Sequence, residues 1–353
     1  MQTTSSTFRS AVWPAVTCLL LAAAGASACN SVRYAVPAIT SGSDEREQVI
    51  SLPPLDLGGH TDHGSASQPA PLHVAFSESG WMHGFSVEAV DAHGDLVPLS
   101  VLHHIKVLMP HRRELFMPIA LRLVGAGAET RSGRIPQSMG VPFAAGDSLI
   151  VTAMVHNPAA QAYHGVRIRV QLHYTPEPAR SSPDAVYPFF LHVTAPDMPS
   201  DYDLPPGYSE RSWEARPAAA GHIIALGGHL HRFGISLRFE DLTTGREIWR
   251  TTPDVDSLGN VLGVPRKVYR WTRGPRLHPD RAYRVTAAYF NPTADTIRSG
   301  GMGTLGGVFR PDAGWPALAA GDPIYIMDLE REIGGHHATP ARPGDAPSPG
   351  HHH

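Results

Sequence analysis

The chain has 353 residues, with 29 basic against 32 acidic side chains, and only 17% of its residues are charged. A nearly neutral chain without long blocks of like charge is a poor match for nucleic acid, so we expect no nucleic-acid partner. The 34 glycines and 33 prolines favour many short strands and turns over long helices, and the length suits one large or two ordinary domains. The sequence therefore predicts an all-β fold.

The first 29 residues are predicted to be an export signal rather than part of the fold. Arg9 precedes an apolar run from Ala11 to Ala26, which is too short and too rich in alanine for a membrane span. Small residues before Cys29 resemble a bacterial lipoprotein processing site, and a lipidated Cys29 would anchor the protein to a membrane of the cell envelope. Ordinary cleavage after Ala28 would instead release it into the periplasm.

Cysteine chemistry is excluded from the domains that follow. The sequence contains two cysteines, Cys18 within the signal and Cys29 at its end. The mature domains can therefore form no disulfide, and they offer neither a cysteine nucleophile nor a thiolate metal site. Any metal must be held by histidine, carboxylate or methionine.

Composition divides the rest of the chain into segments. Residues 30–71 are rich in Ser, Gly, Pro and Asp and are predicted to be a linker. The stretch TPEPARSSPD, Thr175–Asp184, predicts a boundary between an N-terminal domain at 72–180 and a C-terminal domain at 181–333. The His-, Pro- and Gly-rich residues 334–353 are predicted to be a disordered tail.

Two series of short apolar runs, bounded by Gly, Pro or Asp, are typical of β-sandwich strands. The first series extends from Leu72–Phe76 to Val166–Tyr174. The second extends from Val186–Thr194 to Ile324–Leu329. We expect no long amphipathic helix.

Two histidine pairs are the first candidates for chemistry. In GGHLHRFG, His229 and His231 are two residues apart, so on a strand their imidazoles share one face and can converge on a metal. In VLHHIKVL, His103 and His104 are adjacent, so both can reach one metal only if the backbone bulges there. The alternative is ordinary structural histidines, of which a chain with 21 histidines contains several.

Two further residues extend this set. His156 ends a predicted strand before an Asn-Pro turn, and Met302 stands among glycines in SGGMGTLGGVF. A methionine there is often core filler. A thioether beside two imidazoles nevertheless favours Cu(I) over harder cations, so copper is the metal that these ligands select.

The ordered set of motifs resembles the ascorbate-dependent type II copper monooxygenases, the family of peptidylglycine α-hydroxylating monooxygenase and dopamine β-monooxygenase. The matching segments span about residues 72–311 and are VLHHIKVL, VHNP followed by GVRIRVQLHYT, DLPPG, GGHLHRFG, LHPDRAYRVTAAYFN and MGTLGGVFRP. The resemblance implies two tandem jelly-roll-like β-sandwich domains, each with one copper, facing each other across a solvent-filled cleft.

The resemblance also implies roles for the ligands. His103, His104 and His156 correspond to the ligands of the electron-donating copper. His229, His231 and Met302 correspond to those of the copper that binds dioxygen and are the expected catalytic residues. The implied reaction hydroxylates a C–H bond of a small organic substrate with dioxygen, and ascorbate or another one-electron donor reduces both copper ions.

The sequence departs from the family where peptide-hydroxylating members bind the substrate carboxylate. The matching positions hold Gly227, Thr304 and Gly306, so a glycine-extended peptide is not the expected substrate. Met154 stands where relatives have a polar residue near the first copper. A non-catalytic copper-binding or copper-carrier protein of the cell envelope is the alternative, and the sequence specifies no substrate, physiological reductant or oligomeric state.

Overall fold

The computed structural model describes residues 45–61, 66–179, 181–269 and 274–334. The predicted signal, Cys29 and nearly all of the predicted tail lie outside these ranges. Within them, no helix combines the length and the apolar character needed to cross a bilayer.

Strands β1–β12 lie in the N-terminal half. They are β1 (Arg46–Ser51), β2 (Leu55–Leu57), β3 (Leu72–Ala75), β4 (Gly80–Val90), β5 (Leu96–Val97), β6 (Leu102–Arg113), β7 (Ala120–Ala126), β8 (Ser132–Arg134), β9 (Met139–Phe143), β10 (Ser148–Val155), β11 (Tyr163–Pro176) and β12 (Asp184–Ala185), with a 3-10 helix at Leu99–Val101.

Strands β13–β24 lie in the C-terminal half. They are β13 (Tyr187–His192), β14 (Asp201–Leu204), β15 (Gly207–Ala215), β16 (Gly221–Leu230), β17 (Gly234–Asp241), β18 (Arg246–Thr251), β19 (Asp254–Val255), β20 (Val261–Gly263), β21 (Lys267–Val268), β22 (Arg276–Leu277), β23 (Tyr283–Asn291) and β24 (Ile297–Pro311), followed by the helix α1 (Pro323–Gly334).

Each half is a sandwich of a larger and a smaller sheet. In the N-terminal half the larger sheet has the order β1-β11-β4-β9-β12 and the smaller has β3-β10-β6-β7. In the C-terminal half the corresponding orders are β13-β24-β16-β21 and β15-β23-β17-β18. In β13, buried residues alternate with partly exposed ones, because successive side chains of a strand point to opposite faces of the sheet. The prediction of an all-β chain with two tandem β-sandwiches is confirmed.

The predicted linker at 30–71 is wrong for residues 46–57. Strand β1 pairs antiparallel with β11, and β2 pairs with the same strand. Ile50, Leu52 and Leu57 are all buried in the N-terminal core. These three apolar side chains face the core, and their burial places the segment in the sheet although its composition is otherwise polar.

The predicted strand at Ile324–Leu329 is also wrong, because this segment forms α1. Asp322 caps the helix by accepting a hydrogen bond from the Ile324 N–H at 2.9 Å, and Pro323 occupies the first helical position, where its missing N–H costs nothing. Tyr325, Asp328 and Glu332 share its buried face at helical spacing.

A loop of the N-terminal half inserts into the core of the C-terminal half. Between β6 and β7, Leu115 and Phe116 belong to the C-terminal hydrophobic cluster, and the Phe116 ring packs edge-on against those of Phe239 and Tyr283. The fully buried Glu114 accepts backbone hydrogen bonds at 3.0 Å from Arg122 and at 3.1 Å from Phe190, which is a residue of the second half. This loop, residues 114–119, is called the core loop below.

Candidate metal centre

A bulge in β6 presents His103 and His104 together. In the pairing with β10, Met154 faces His104 but Val155 faces Leu102, so His103 is the extra residue of a bulge. The two ring centres are 4.9 Å apart. The structure thus provides the backbone irregularity that adjacent ligand histidines require.

His156 joins this pair from the end of β10. Its backbone N–H donates to the Val101 carbonyl at 2.9 Å, which fixes the residue beside the start of β6. The His156 ring centre is 5.9 Å from that of His103. The three histidines of the first expected set are therefore neighbours.

His229 and His231 lie where β16 ends. His229 is the penultimate residue of the strand, and His231 begins a turn that closes with a hydrogen bond from Gly234 N–H to the His231 carbonyl at 3.1 Å. Their ring centres are 5.2 Å apart and their planes are nearly perpendicular.

The Tyr289 hydroxyl links the backbone of Met302 to that of His231. It accepts hydrogen bonds from the backbone N–H of His231 at 2.9 Å and of Met302 at 3.1 Å. It also donates to the Met302 carbonyl. Tyr289 is fully buried on β23, so one phenol fixes the backbones of two expected ligands that are far apart in the sequence.

The two expected ligand sets are in direct contact, which differs from the implied solvent-filled separation. The His103 ring lies 5.2 Å from the His231 ring, edge to face. His103 therefore connects His104 and His156 on one side with His231 and His229 on the other. The contact forms where the start of β6, which carries His103, meets the end of β16, which His231 follows.

The donor types and the spacing of the ring pairs fit copper. An imidazole nitrogen binds a first-row metal at about 2.0–2.1 Å, which places two ligand ring centres about 4.5–6 Å apart. The three separations between rings of the same expected set fall in that range: 4.9 Å for His103–His104, 5.9 Å for His103–His156 and 5.2 Å for His229–His231. Within the described ranges, however, no group of three or more His, Cys, Asp or Glu side chains is placed to hold a metal ion.

A cavity of about 350 Å³ adjoins this cluster. His103, His104, His229 and Met302 line one part of it. Apolar side chains and glycines form much of the rest, and these include Phe85, Val124, Ile135, Phe190, Leu226, Gly228 and Gly307. The volume and the walls suit a small organic molecule with an apolar body.

Glu129 is the one acidic side chain among the described residues that line the cavity. The His229 Nδ1 donates a hydrogen bond to its Oε1 at 2.6 Å. Burial acts to raise the pKa of Glu129, but the interactions with His229 outweigh it and the net shift is downward. Burial likewise acts to lower the pKa of His229, and Glu129 reverses the sign, so the net shift is upward.

Two positively charged side chains of the cavity wall, Arg122 and Lys106, form ion pairs with acidic residues of α1. Arg122 pairs with Asp328 at 2.5 Å and with Glu332 at 3.3 Å, and Lys106 pairs with Glu332 at 2.6 Å. All four side chains are largely buried. The wall therefore carries little net charge at this point.

Two further histidines that line the cavity are held neutral. Burial, aided by nearby Arg122 and Lys106, lowers the pKa of His192 to about 3, and its Nδ1 lies 2.9 Å from the Thr304 hydroxyl. Burial lowers the pKa of His83 to about 4.

The three positions that match the substrate carboxylate-binding residues of the family lie on the cavity wall. They are Gly227, Thr304 and Gly306. The Arg266 side chain covers Gly227, since a Cβ added there would lie 3.3 Å from the Arg266 Cγ. The other departure, Met154, is the cross-strand partner of His104.

The sequence patterns assigned no role in the site to Glu129 or Tyr289. Glu129 lies 100 residues from His229, in a turn without a motif. Tyr289 lies in an apolar strand, and the hydrophobic pattern of that strand marks it only as a core residue. Both residues contact the site through partners that are distant in the sequence, so only the folded structure identifies them.

No family model matches the chain, and no curated protein matches it. Among solved structures, a recombinant peptide:N-glycanase F (PNGase F) is similar at a TM-score of 0.37 and 6% identity, covering 76% of this chain and 97% of the other. The Sulfolobus turreted icosahedral virus structure is similar at a TM-score of 0.35 and 6% identity, covering 76% and 90%. A peptide-N(4)-(N-acetyl-β-D-glucosaminyl) asparagine amidase is similar at 0.37 and 6%, covering 76% and 98%.

Proposed function

We propose that the protein is a copper-dependent monooxygenase that hydroxylates a C–H bond of a small organic substrate. Dioxygen is the oxidant, and ascorbate or another one-electron donor supplies the electrons. The observation that carries the proposal is the continuous cluster of five imidazoles with Met302 beside a cavity of about 350 Å³.

The ligands divide into two sets, for two copper ions per chain. His103, His104 and His156 form a set of imidazoles alone, which suits electron transfer. His229, His231 and Met302 include a thioether, which favours Cu(I). Bound copper would supply one-electron chemistry with dioxygen.

The chain's own residues prepare the cavity for such a reaction. The apolar walls bind the substrate body and exclude water. His192 is held neutral, so it and the Thr304 hydroxyl offer a hydrogen-bonding pair without a charge. The contact between the His103 and His231 rings joins the two ligand sets directly.

The alternative is a copper carrier of the cell envelope. It is favoured by three residues of the cavity wall, Gly227, Thr304 and Gly306, which stand where peptide-hydroxylating members of the family have substrate-binding side chains. Export and the lipid anchor at Cys29 concern residues outside the described ranges and stay predictions.

Oxygen uptake by the copper-loaded, ascorbate-reduced protein tests the proposal. The substrates to screen are aromatic amines, fatty amides and small alcohols, and the product is identified by mass spectrometry with ¹⁸O₂. We expect substrate-dependent uptake that is abolished in His229→Ala and His231→Ala. His222→Ala is the matched control, because His222 lies on the same strand and its Nδ1 contacts the Gly274 carbonyl outside the cluster.

The outcomes separate the two functions. Labelled product formed by the wild type and by His222→Ala supports the monooxygenase. A fully loaded protein that consumes no dioxygen with any substrate, and that transfers copper readily to a chelator, supports the carrier.

A further inference from the structure

A tight turn of the N-terminal half reaches a candidate ligand of the C-terminal half. Residues 127–130 follow β7 and close with a hydrogen bond from the Thr130 N–H to the Gly127 carbonyl at 3.1 Å. The turn directs the Glu129 carboxylate toward β16, where it accepts the hydrogen bond from His229 Nδ1 at 2.6 Å. Its side chain is only 11% exposed, so solvent screens this contact little.

Gly127 makes room for this carboxylate. A Cβ at Gly127 would lie 2.7 Å from the Glu129 Oε2 and 3.0 Å from the His103 carbonyl. Gly127 is therefore packed between the backbone of His103, a ligand residue of the first set, and the Glu129 carboxylate, which contacts the second set. Any larger residue at 127 would displace one of them.

The hydrogen bond determines which nitrogen of His229 can bind a metal. A carboxylate that accepts from Nδ1 fixes the tautomer and the ring orientation, and it leaves Nε2 as the ligand atom. Carboxylates in this position also make the imidazole a better electron donor to a metal.

We propose that Glu129 is the positioning residue of His229, so that the set His229, His231 and Met302 is complete only when the N-terminal half is docked against it. The inference rests on the proposed function. Its consequence is that the second copper site belongs to both halves, although all three of its ligands lie in the C-terminal half.

The first test uses metal-free protein labelled with ¹⁵N-histidine. We expect a slowly exchanging, downfield Nδ1 proton that disappears in His229→Gln, which assigns it. Glu129→Ala removes this signal, and Glu129→Gln, whose amide oxygen can still accept, retains it. Glu47→Ala is the matched control, because Glu47 contacts Nδ1 of another histidine, His173, at 3.2 Å.

The second test measures copper affinity and the Cu(II) electron paramagnetic resonance spectrum of the same variants. Loss of a residue that orients a metal-bound histidine costs about 10- to 100-fold in affinity, and we expect that loss at one of two sites in Glu129→Ala. Glu129→Gln should recover part of it, and Glu47→Ala should match the wild type.

The two possible failures are distinguishable. If the wild type binds two copper ions and Glu129→Ala keeps the proton signal, the affinity and the spectrum, the positioning role is overturned alone. If the wild type shows the proton but binds no copper, the proposed function is overturned and the role of Glu129 toward a metal falls with it.

Discussion

One hydroxyl group holds the backbones of two candidate ligands. Tyr289 makes three hydrogen bonds, to the N–H of His231 and to the N–H and carbonyl of Met302. Its burial raises its pKa far above the ordinary range of a phenol, so the group stays protonated and can both donate and accept.

We expect Tyr289→Phe to weaken copper binding at the His229, His231 and Met302 set. The substitution leaves buried backbone groups without their partner, at about 1–3 kcal/mol for each group that finds no replacement. Urea unfolding and copper titration measure the two effects. Tyr202→Phe is the control, because the buried Tyr202 hydroxyl has no hydrogen-bond partner in the described structure; an equal loss in both variants would contradict the role of the Tyr289 hydroxyl.

Glu114 is expected to make stability depend on pH. Burial raises its pKa from 4.5 to about 7, so between these values the folded state keeps a proton that the unfolded state has lost. The contribution of this group to stability is therefore present below pH 4.5 and is lost as the pH rises to 7.

Glu114→Gln removes this titration. The free energy of unfolding of the wild type, relative to that of the variant, should fall between pH 4.5 and 7, whatever the constant cost of the substitution. Urea unfolding at four pH values measures the difference. A difference that is independent of pH would show that Glu114 does not titrate in this range.

Buried ion pairs join α1 to the smaller sheet of the N-terminal half. The side chains of Arg122 and Asp328 are 7% and 8% exposed. Removing one partner of such a pair leaves a buried charge without compensation, which costs about 3–5 kcal/mol.

We therefore expect Asp328→Asn to lower the free energy of unfolding by several kcal/mol. The control is Glu247→Gln, because Glu247 and Arg250 form an exposed pair, with side chains 43% and 49% exposed, of the kind worth about 0–1 kcal/mol. Chemical denaturation of the wild type and of the two variants measures both losses in the free energy of unfolding. Similar small losses in both would show that α1 is not held by this pair.

The elements also show what the sequence could and could not predict. Strands such as β10 and β16 were predictable because apolar residues run between turn residues. The helix α1 was not, because Ile324–Leu329 is as apolar as a strand and only the capping Asp322 and the buried Asp328 reveal the helix. In the site, the spacing of His229 and His231 was informative, whereas the bulge at His103 depends on the pairing of β6 with β10.

The core loop connects the two sandwiches, because its apolar side chains pack in the core of the C-terminal half. Phe116 is only 6% exposed and lies in the core of the half to which it does not belong by sequence.

We expect one calorimetric unfolding transition for both sandwiches, and Phe116→Ala should lower its midpoint at a cost of about 3–5 kcal/mol. The control is Phe290→Ala, because Phe290 is 52% exposed; two transitions of which one alone moves would contradict the coupling.

The coupling of the halves explains why the candidate centre is continuous. His103 and Glu129 come from one sandwich, and His231 and His229 come from the other. A prediction from sequence could assign each ligand to its half, but the distance between the two sets follows from the docking of the halves.

Copper analysis combined with X-ray absorption of the reduced, reconstituted protein tests the assignment of two copper sites most directly. We expect two copper ions per chain and a sulfur ligand to Cu(I) that is lost in Met302→Ala and kept in Met198→Ala, where the methionine is 47% exposed. Fewer than one copper ion per chain at neutral pH, or a sulfur signal that survives Met302→Ala, would contradict it.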